Sequence, residues 1–191
     1  MIETLATVAS GIALGLSLAA PPGPVNAVIA FEGTRKPVRG TLVGLGAMTS
    51  DFIYMLIVLY AGTMIPEWAK RYVFLIGSGV MVFLAWLIWK SEGKVSGGGT
   101  YAPYIKGLSM GLTNPYQIGW WATAGLSSIS LFGPTFIIGF FLGISLWIVV
   151  FPLAMNRGAI IGGEKFVYVV KLFSVIVLLL FAAYFIYGSF T

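Results

Sequence analysis

The sequence has no cysteine and no histidine. The first absence excludes disulfides and thiol chemistry. The second removes the commonest metal ligand and the usual switch near neutral pH. Charge is scarce too: 9% of residues are charged, against roughly 25% in soluble domains. Aspartate occurs once, as Asp51. What the chain has instead is apolar bulk, 59% of its 191 residues. No soluble fold of this length has enough interior to hide that much apolar side chain. Long unbroken apolar runs fit membrane helices, not the alternating strands of a barrel. The net charge of +5 reads as basic loops that fix orientation in a membrane rather than as a nucleic-acid footprint.

Six apolar stretches are separable, at about 5–31, 40–65, 72–89, 104–128, 134–156 and 166–189. Each approaches the ~20 residues that span ~30 Å of hydrocarbon. Six spans place Arg35, Lys36, Arg39, Lys90, Lys94, Lys106, Arg157, Lys165 and Lys171 on one side, and only Lys70 and Arg71 on the other. The positive-inside rule makes the first side cytoplasmic, with both termini outside. Lys106 and Lys171 fall at or inside helix ends, where they can snorkel to the interface. Ser17-Leu18-Ala19 has the look of a signal-peptide cleavage site, but the only early charge is Glu3 and a basic n-region is missing. Cleavage is not expected.

The glycine-rich stretch Ser96–Thr100 reads as a linker. It divides a single membrane domain into a first repeat at about 1–92, a linker at 93–101 and a second repeat at about 102–191. Gly15-Leu16-Ser17-Leu18 precedes a proline cluster, as Gly107-Leu108-Ser109-Met110 precedes Thr113-Asn114-Pro115. Small-xxx-small pairs recur in parallel places: Gly11/Gly15 and Gly107/Gly111 in spans 1 and 4, Gly40/Gly44 and Gly139/Gly143 in spans 2 and 5. Such pairs let helices approach closely in lipid. Three spans per half require the second half to insert upside down. The expected fold is all-α, six transmembrane helices in two inverted repeats, a pattern of secondary transporters.

Pro21-Pro22-Gly23-Pro24 cannot lie in a straight helix, because each proline removes a donor and clashes with the preceding turn. Span 1 is expected as two half-helices, with Gly23 as cap and Pro24 first in the second half. Span 4 repeats the device with Asn114 as N-cap and Pro115 as first residue. Both breaks leave helix N-termini near the midplane, attractive to anions such as a carboxylate. Tolerated proline kinks without a ligand are the plain alternative. Asn26 adds an amide at that depth, for substrate or for backbone freed by the break. Thr113 and Gln117 lie within a turn of Asn114. Asp51 sits near the midplane of span 2, where a carboxylate is costly unless paired, hydrated or protonated. It is the candidate site for a coupling ion or a substrate amine, or else a structural carboxyl bonded to a neighbouring helix. Tyr54 lies one turn on, within reach of it. Arg157 reads as a topology anchor, or else as a charge that draws anionic substrate to the inner mouth, and the tryptophans as interfacial or packing residues.

At Pro21-Pro22-Gly23-Pro24-Val25-Asn26, followed by Arg39-Gly40, Gly44-Leu45-Gly46 and Asp51-Phe52-Ile53-Tyr54, the sequence resembles the lysine-exporter (LysE) family of amino-acid exporters. Gly107 and Asn114-Pro115 continue the resemblance, which covers essentially the whole chain. Many members read proline-glycine-proline-asparagine directly; here Val25 intervenes. The resemblance implies a cytoplasmic-membrane exporter of amino acids or related small solutes, driven by an ion gradient. Pro22, Gly23, Pro24, Asn26, Asp51, Asn114 and Pro115 match the family's motif residues.

The expected substrate-binding set is therefore Pro22, Gly23, Pro24, Asn26, Thr113, Asn114, Pro115 and Gln117, with Asp51 and Tyr54 for ion coupling. Expected partners are an amino acid, a proton or sodium ion, the lipid bilayer and, left open, a second copy in a homodimer. No nucleic acid, metal or cofactor is expected. Alternatives are export of a metal ion or another solute, and a scaffold that transports nothing. An intramembrane aspartyl protease needs two aspartates, and a Ser109–Lys106 pair lacks an orienting third group, so an enzyme is not expected.

Overall fold

The structure, a computed structural model, describes residues 2–61, 67–90, 101–125, 128–129 and 132–190. Every element among them is helical: α1 (Ile2–Ala19), α2 (Pro24–Arg35), α3 (Pro37–Ala61), α4 (Glu67–Lys90), α5 (Tyr101–Leu112), α6 (Pro115–Trp120), a π-helical turn (Trp121–Gly125) and α7 (Thr135–Gly188). The first expected span is indeed two helices, α1 and α2, bent by 83° at the proline cluster. The expected linker falls outside the described residues, apart from Tyr101, which opens α5.

The loop expected between 156 and 166 is helix on both sides of a single residue. α7 has 54 residues, about 80 Å at ~1.5 Å per residue, well over twice the ~30 Å hydrocarbon thickness. Gly163, at φ 60° and ψ −150°, breaks it, in a backbone region that glycine alone enters readily. The chain bends sharply there. An added Cβ at Gly158 or Gly162 would meet the ring of Phe166, which eight residues of straight helix would keep out of reach of residue 158. α7 thus has two arms, 135–162 and 164–188.

Two apolar clusters hold the helices. One joins Met55 and Val58 of α3, Trp121, and Phe136, Phe140, Ile144 and Ile148 of the first arm of α7. The other joins Ala27–Ile29 and Phe31 of α2, Met81, Leu84, Ala85 and Ile88 of α4, and Val175, Leu178, Ala182 and Phe185 of the second arm. Outward faces are apolar as well, with Phe52, Ile57, Leu142, Leu146, Val149 and Leu180 exposed, as a lipid-facing surface requires. By length and composition, Pro37–Tyr60 and Thr135–Tyr187 can cross a membrane, and the bent pair Thr4–Ala19 with Pro24–Arg35 is a third candidate. The protein is an all-helical membrane protein over its described residues.

The glycine pairs sit at the closest helix contacts. A Cβ on Gly11 or Gly15 of α1 would strike the backbone of Phe136, Gly139 or Phe140, and one on Gly139 or Gly143 would strike Val8 or Ile12. Gly107 of α5 faces the Val43 carbonyl of α3, and Gly46 faces the backbone of Tyr104 and Leu108. Gly40 and Gly44 instead meet Pro152 and Ile148 of α7. With no hydrophobic drive between helices in lipid, this close approach is what supplies the packing energy.

Candidate functional site

At the first break Gly23 is the N-cap of α2, in extended backbone, and Pro24 is the first helical residue. The first intrahelical bond runs from the Ala27 N–H to the Gly23 carbonyl, 2.9 Å. The N–H groups of Val25 and Asn26 precede it and so have no intrahelical acceptor. The Asn26 side chain works on the other side of the break. Its Nδ2 donates to the Ala19 carbonyl (2.5 Å) and the Pro21 carbonyl (2.8 Å), oxygens orphaned where α1 ends. Its Oδ1 accepts from Trp147 Nε1 at 3.1 Å. Asn26 thus satisfies backbone freed by the break.

At the second break Asn114 is the N-cap of α6: its Oδ1 accepts from the Tyr116 N–H, 3.1 Å. Pro115 is the first helical residue. Gln117 crosses to α3, donating to the Ala47 carbonyl (3.2 Å) and to Ser50 Oγ (3.1 Å). Thr113 turns back on α5, its hydroxyl donating to the Ser109 carbonyl at 2.8 Å. Tyr54 does not bond Asp51. Its hydroxyl donates to the Leu112 carbonyl at 2.6 Å, another oxygen freed by the break. The expected Asp51–Tyr54 contact is replaced because the last carbonyls of α5, left without helical donors at the break, offer Tyr54 an acceptor.

Asp51 is 5% exposed, and its Oδ1 accepts from Trp121 Nε1 at 2.8 Å. The π-helical turn after α6 aims this indole inward, and Trp120, Phe136 and Phe140 pack around it. A cavity of about 290 Å³ lies between the two breaks and α3. Pro22, Gly23, Pro24, Asn26, Asp51, Asn114 and Gln117 all line it; Thr113, Pro115 and Tyr54 do not. Leu18, Ile29, Met48, Ile144 and Ile148 complete apolar walls, and Tyr116 and Trp147 add aromatic ones. A concave apolar chamber with a few convergent polar groups is the form that small-solute sites take.

Three functional candidates escaped the sequence reading. Trp121 and Trp147 look like any membrane tryptophan until the π turn and α7 orient them. Glu32 is the third. It is 0% exposed and pairs with Arg39 Nε (2.7 Å) and Lys106 Nζ (2.5 Å). Lys106 therefore reaches inward to a carboxylate instead of snorkelling. The signal lay in an acidic residue followed within seven positions by three basic ones, Arg35, Lys36 and Arg39. Arg157 is exposed, while its neighbour Asn156 donates to the Thr34 carbonyl at 3.4 Å. Among the described residues no three of Asp, Glu, His and Cys gather in a group able to hold a metal ion.

Broken helices around a partly polar, solute-sized chamber define a class: a helical membrane protein with a chamber at the level of its helix breaks. The chain belongs to the LysE type translocator family, whose sequence pattern it matches over residues 16–189. It is 34% identical over 125 residues to the "Putative amino acid efflux protein YcgF" of Bacillus subtilis (strain 168). That similarity covers 59% of this chain and 58% of the relative, so the chain spans less than two thirds of it. No solved structure matches.

Proposed function

We propose that this protein is a secondary active transporter that exports amino acids or related small solutes from the cytoplasm, coupled to protons through Asp51. The observation carrying the reading is that both helix breaks and Asp51 border one cavity. The substrate carboxylate meets the N-terminus of α2, where the Val25 and Asn26 N–H groups and the helix dipole favour an anion. Asp51 takes and releases the coupling proton beside it. The walls of Leu18, Ile29, Met48, Ile144 and Ile148 receive an aliphatic or aromatic side chain.

Membership of a translocator family and the efflux description of the relative support export. The excess of Lys and Arg on one set of loops supports a cell-membrane orientation with Arg39 and Lys106 on the cytoplasmic side and both termini outside. The contacts favour inverted repeats. α1 interlocks with the first arm of α7, and α5 with α3. Exchanging span 1 with 4 and span 2 with 5 turns one pairing into the other. Alternating access then follows from rocking around the shared site.

The test is transport by the purified protein in vesicles. An imposed pH gradient should drive accumulation of amino acids drawn from a labelled mixture. Asp51→Asn should lose this drive while still exchanging substrate across the bilayer. Retained pH-driven accumulation by Asp51→Asn would refute the coupling role. Failure of the parent protein to move any amino acid would refute the substrate class.

A further inference from the structure

We propose that α2 is a gate, latched through Glu32 to Arg39 and Lys106, and that Arg35 takes over the Glu32 carboxylate when the gate opens. The proposal rests on the transporter reading above, since a gate needs something to pass.

α2 begins in the cavity wall, where Pro24, Val25, Asn26 and Ile29 lie. It ends in the basic cluster. From Ala27 to Thr34 it is buried without interruption, so it closes the chamber on that side. A helix buried on every face lets solute past only by moving. Its end is held to α3 and α5 by the two ion pairs from Glu32, to Arg39 and to Lys106, and to α7 by the Asn156 amide on the Thr34 carbonyl and the close approach of Gly33 to Pro152. Helices α3 and α5 are themselves interlocked, backbone against backbone, at Gly46 and Gly107. The latch therefore ties one short helix to a rigid pair.

The cluster has three cations for one carboxylate. Arg39 and Lys106 occupy Glu32, which leaves Arg35 over. Its guanidinium lies 4.6 Å from the Phe31 ring centroid, and its Nε and Nη2 are buried with no acceptor among the described residues. Buried donors are normally satisfied, so these two unpaired nitrogens call for explanation. Arg35 is three residues from Glu32 on the same helix, the spacing at which side chains meet. As α2 leaves α3 and α5, Glu32 loses both partners, and a buried carboxylate left alone would oppose the movement. Arg35 travels with it and replaces them. Glu32 then stays paired in both positions of the gate, giving the two discrete arrangements that a switch needs.

Because the chain has no cysteine, one reporter suffices. Ala30, 3% exposed on α2, becomes the site of an Ala30→Cys substitution in the full-length protein in vesicles. Its labelling by a membrane-impermeant maleimide reads gate opening without any substrate. The parent reporter should label slowly. Lys106→Met should raise the rate at least tenfold, and Lys106→Arg, which keeps the pair, should leave it slow. Adding Arg35→Met to Lys106→Met should bring the rate down at least threefold, because the open gate no longer has its replacement partner. A Lys106→Met rate equal to the parent's would overturn the latch. A double variant labelling as fast as Lys106→Met, or faster, would overturn the partner exchange. These rates do not depend on amino-acid transport, so they stand or fall apart from the proposed substrate.

Discussion

Alanine at Gly107 and alanine at Gly79 should change stability in opposite directions, although both glycines lie inside helices. The added Cβ at Gly107 would run into the carbonyl oxygen, carbonyl carbon and Cα of Val43. All three are backbone atoms of α3, so no rotamer change relieves the clash and α5 must back away. Overpacking of this kind costs ~1–3 kcal/mol, and rigid backbone on both sides argues for the upper end. Alanine recovers about 1 kcal/mol of helix propensity over glycine, leaving a net loss of about 2 kcal/mol. At Gly79 a Cβ meets nothing within 4 Å, so only the gain of about 1 kcal/mol remains. For a chain of this size 1 kcal/mol moves Tm by ~2–4 °C. Gly107→Ala should therefore melt about 6–12 °C below Gly79→Ala. Thermal unfolding of both variants in one detergent, followed by circular dichroism, makes the comparison. Equal melting temperatures would refute the claim that α3 and α5 are held by backbone approach at this glycine.

Two further outcomes follow from the breaks. Asn26→Ala strands the Ala19 and Pro21 carbonyls and the Trp147 indole. It should cost about 1–3 kcal/mol, read as a lower Tm, and Asn26→Asp should not rescue it because a carboxylate cannot donate to carbonyls. Tyr54→Phe removes only the hydroxyl bond to Leu112. It should cost about 1 kcal/mol and leave pH-driven transport in place; loss of that drive would return Tyr54 to the coupling site.

The breaks were legible because proline and glycine act on the backbone, wherever the rest of the chain goes. Pro24 and Pro115 had to open helices, and Asn114 had to cap one. Asp51 was legible as a lone charge deep in an apolar run. Its partner was not. The Trp121 indole reaches it only through a π-helical turn, and no spacing rule in the sequence announces that turn. Glu32 was hidden by a boundary. The apolar run ends at Phe31, so Glu32 reads as the first residue of a charged loop. The loop is in fact the single extended residue Lys36, placed just before Pro37, which opens α3. A proline disfavours helix in the residue before it, so α2 runs to Arg35 and carries Glu32 into the interior. The break expected between 156 and 166 was too wide, since only Gly163 leaves the helix.

The interlock of α1 with the first arm of α7 also fixes an order of assembly. Gly11 and Gly15 are shaped for the backbone of residues 136–140, which are made only after most of the chain. Until then the small-residue face of α1 lacks the neighbour it fits. Contacts this distant in sequence close late. The nascent protein must therefore hold its first helix in waiting, and the chamber beside Pro22 and Asp51 can form only when synthesis has passed Ile148.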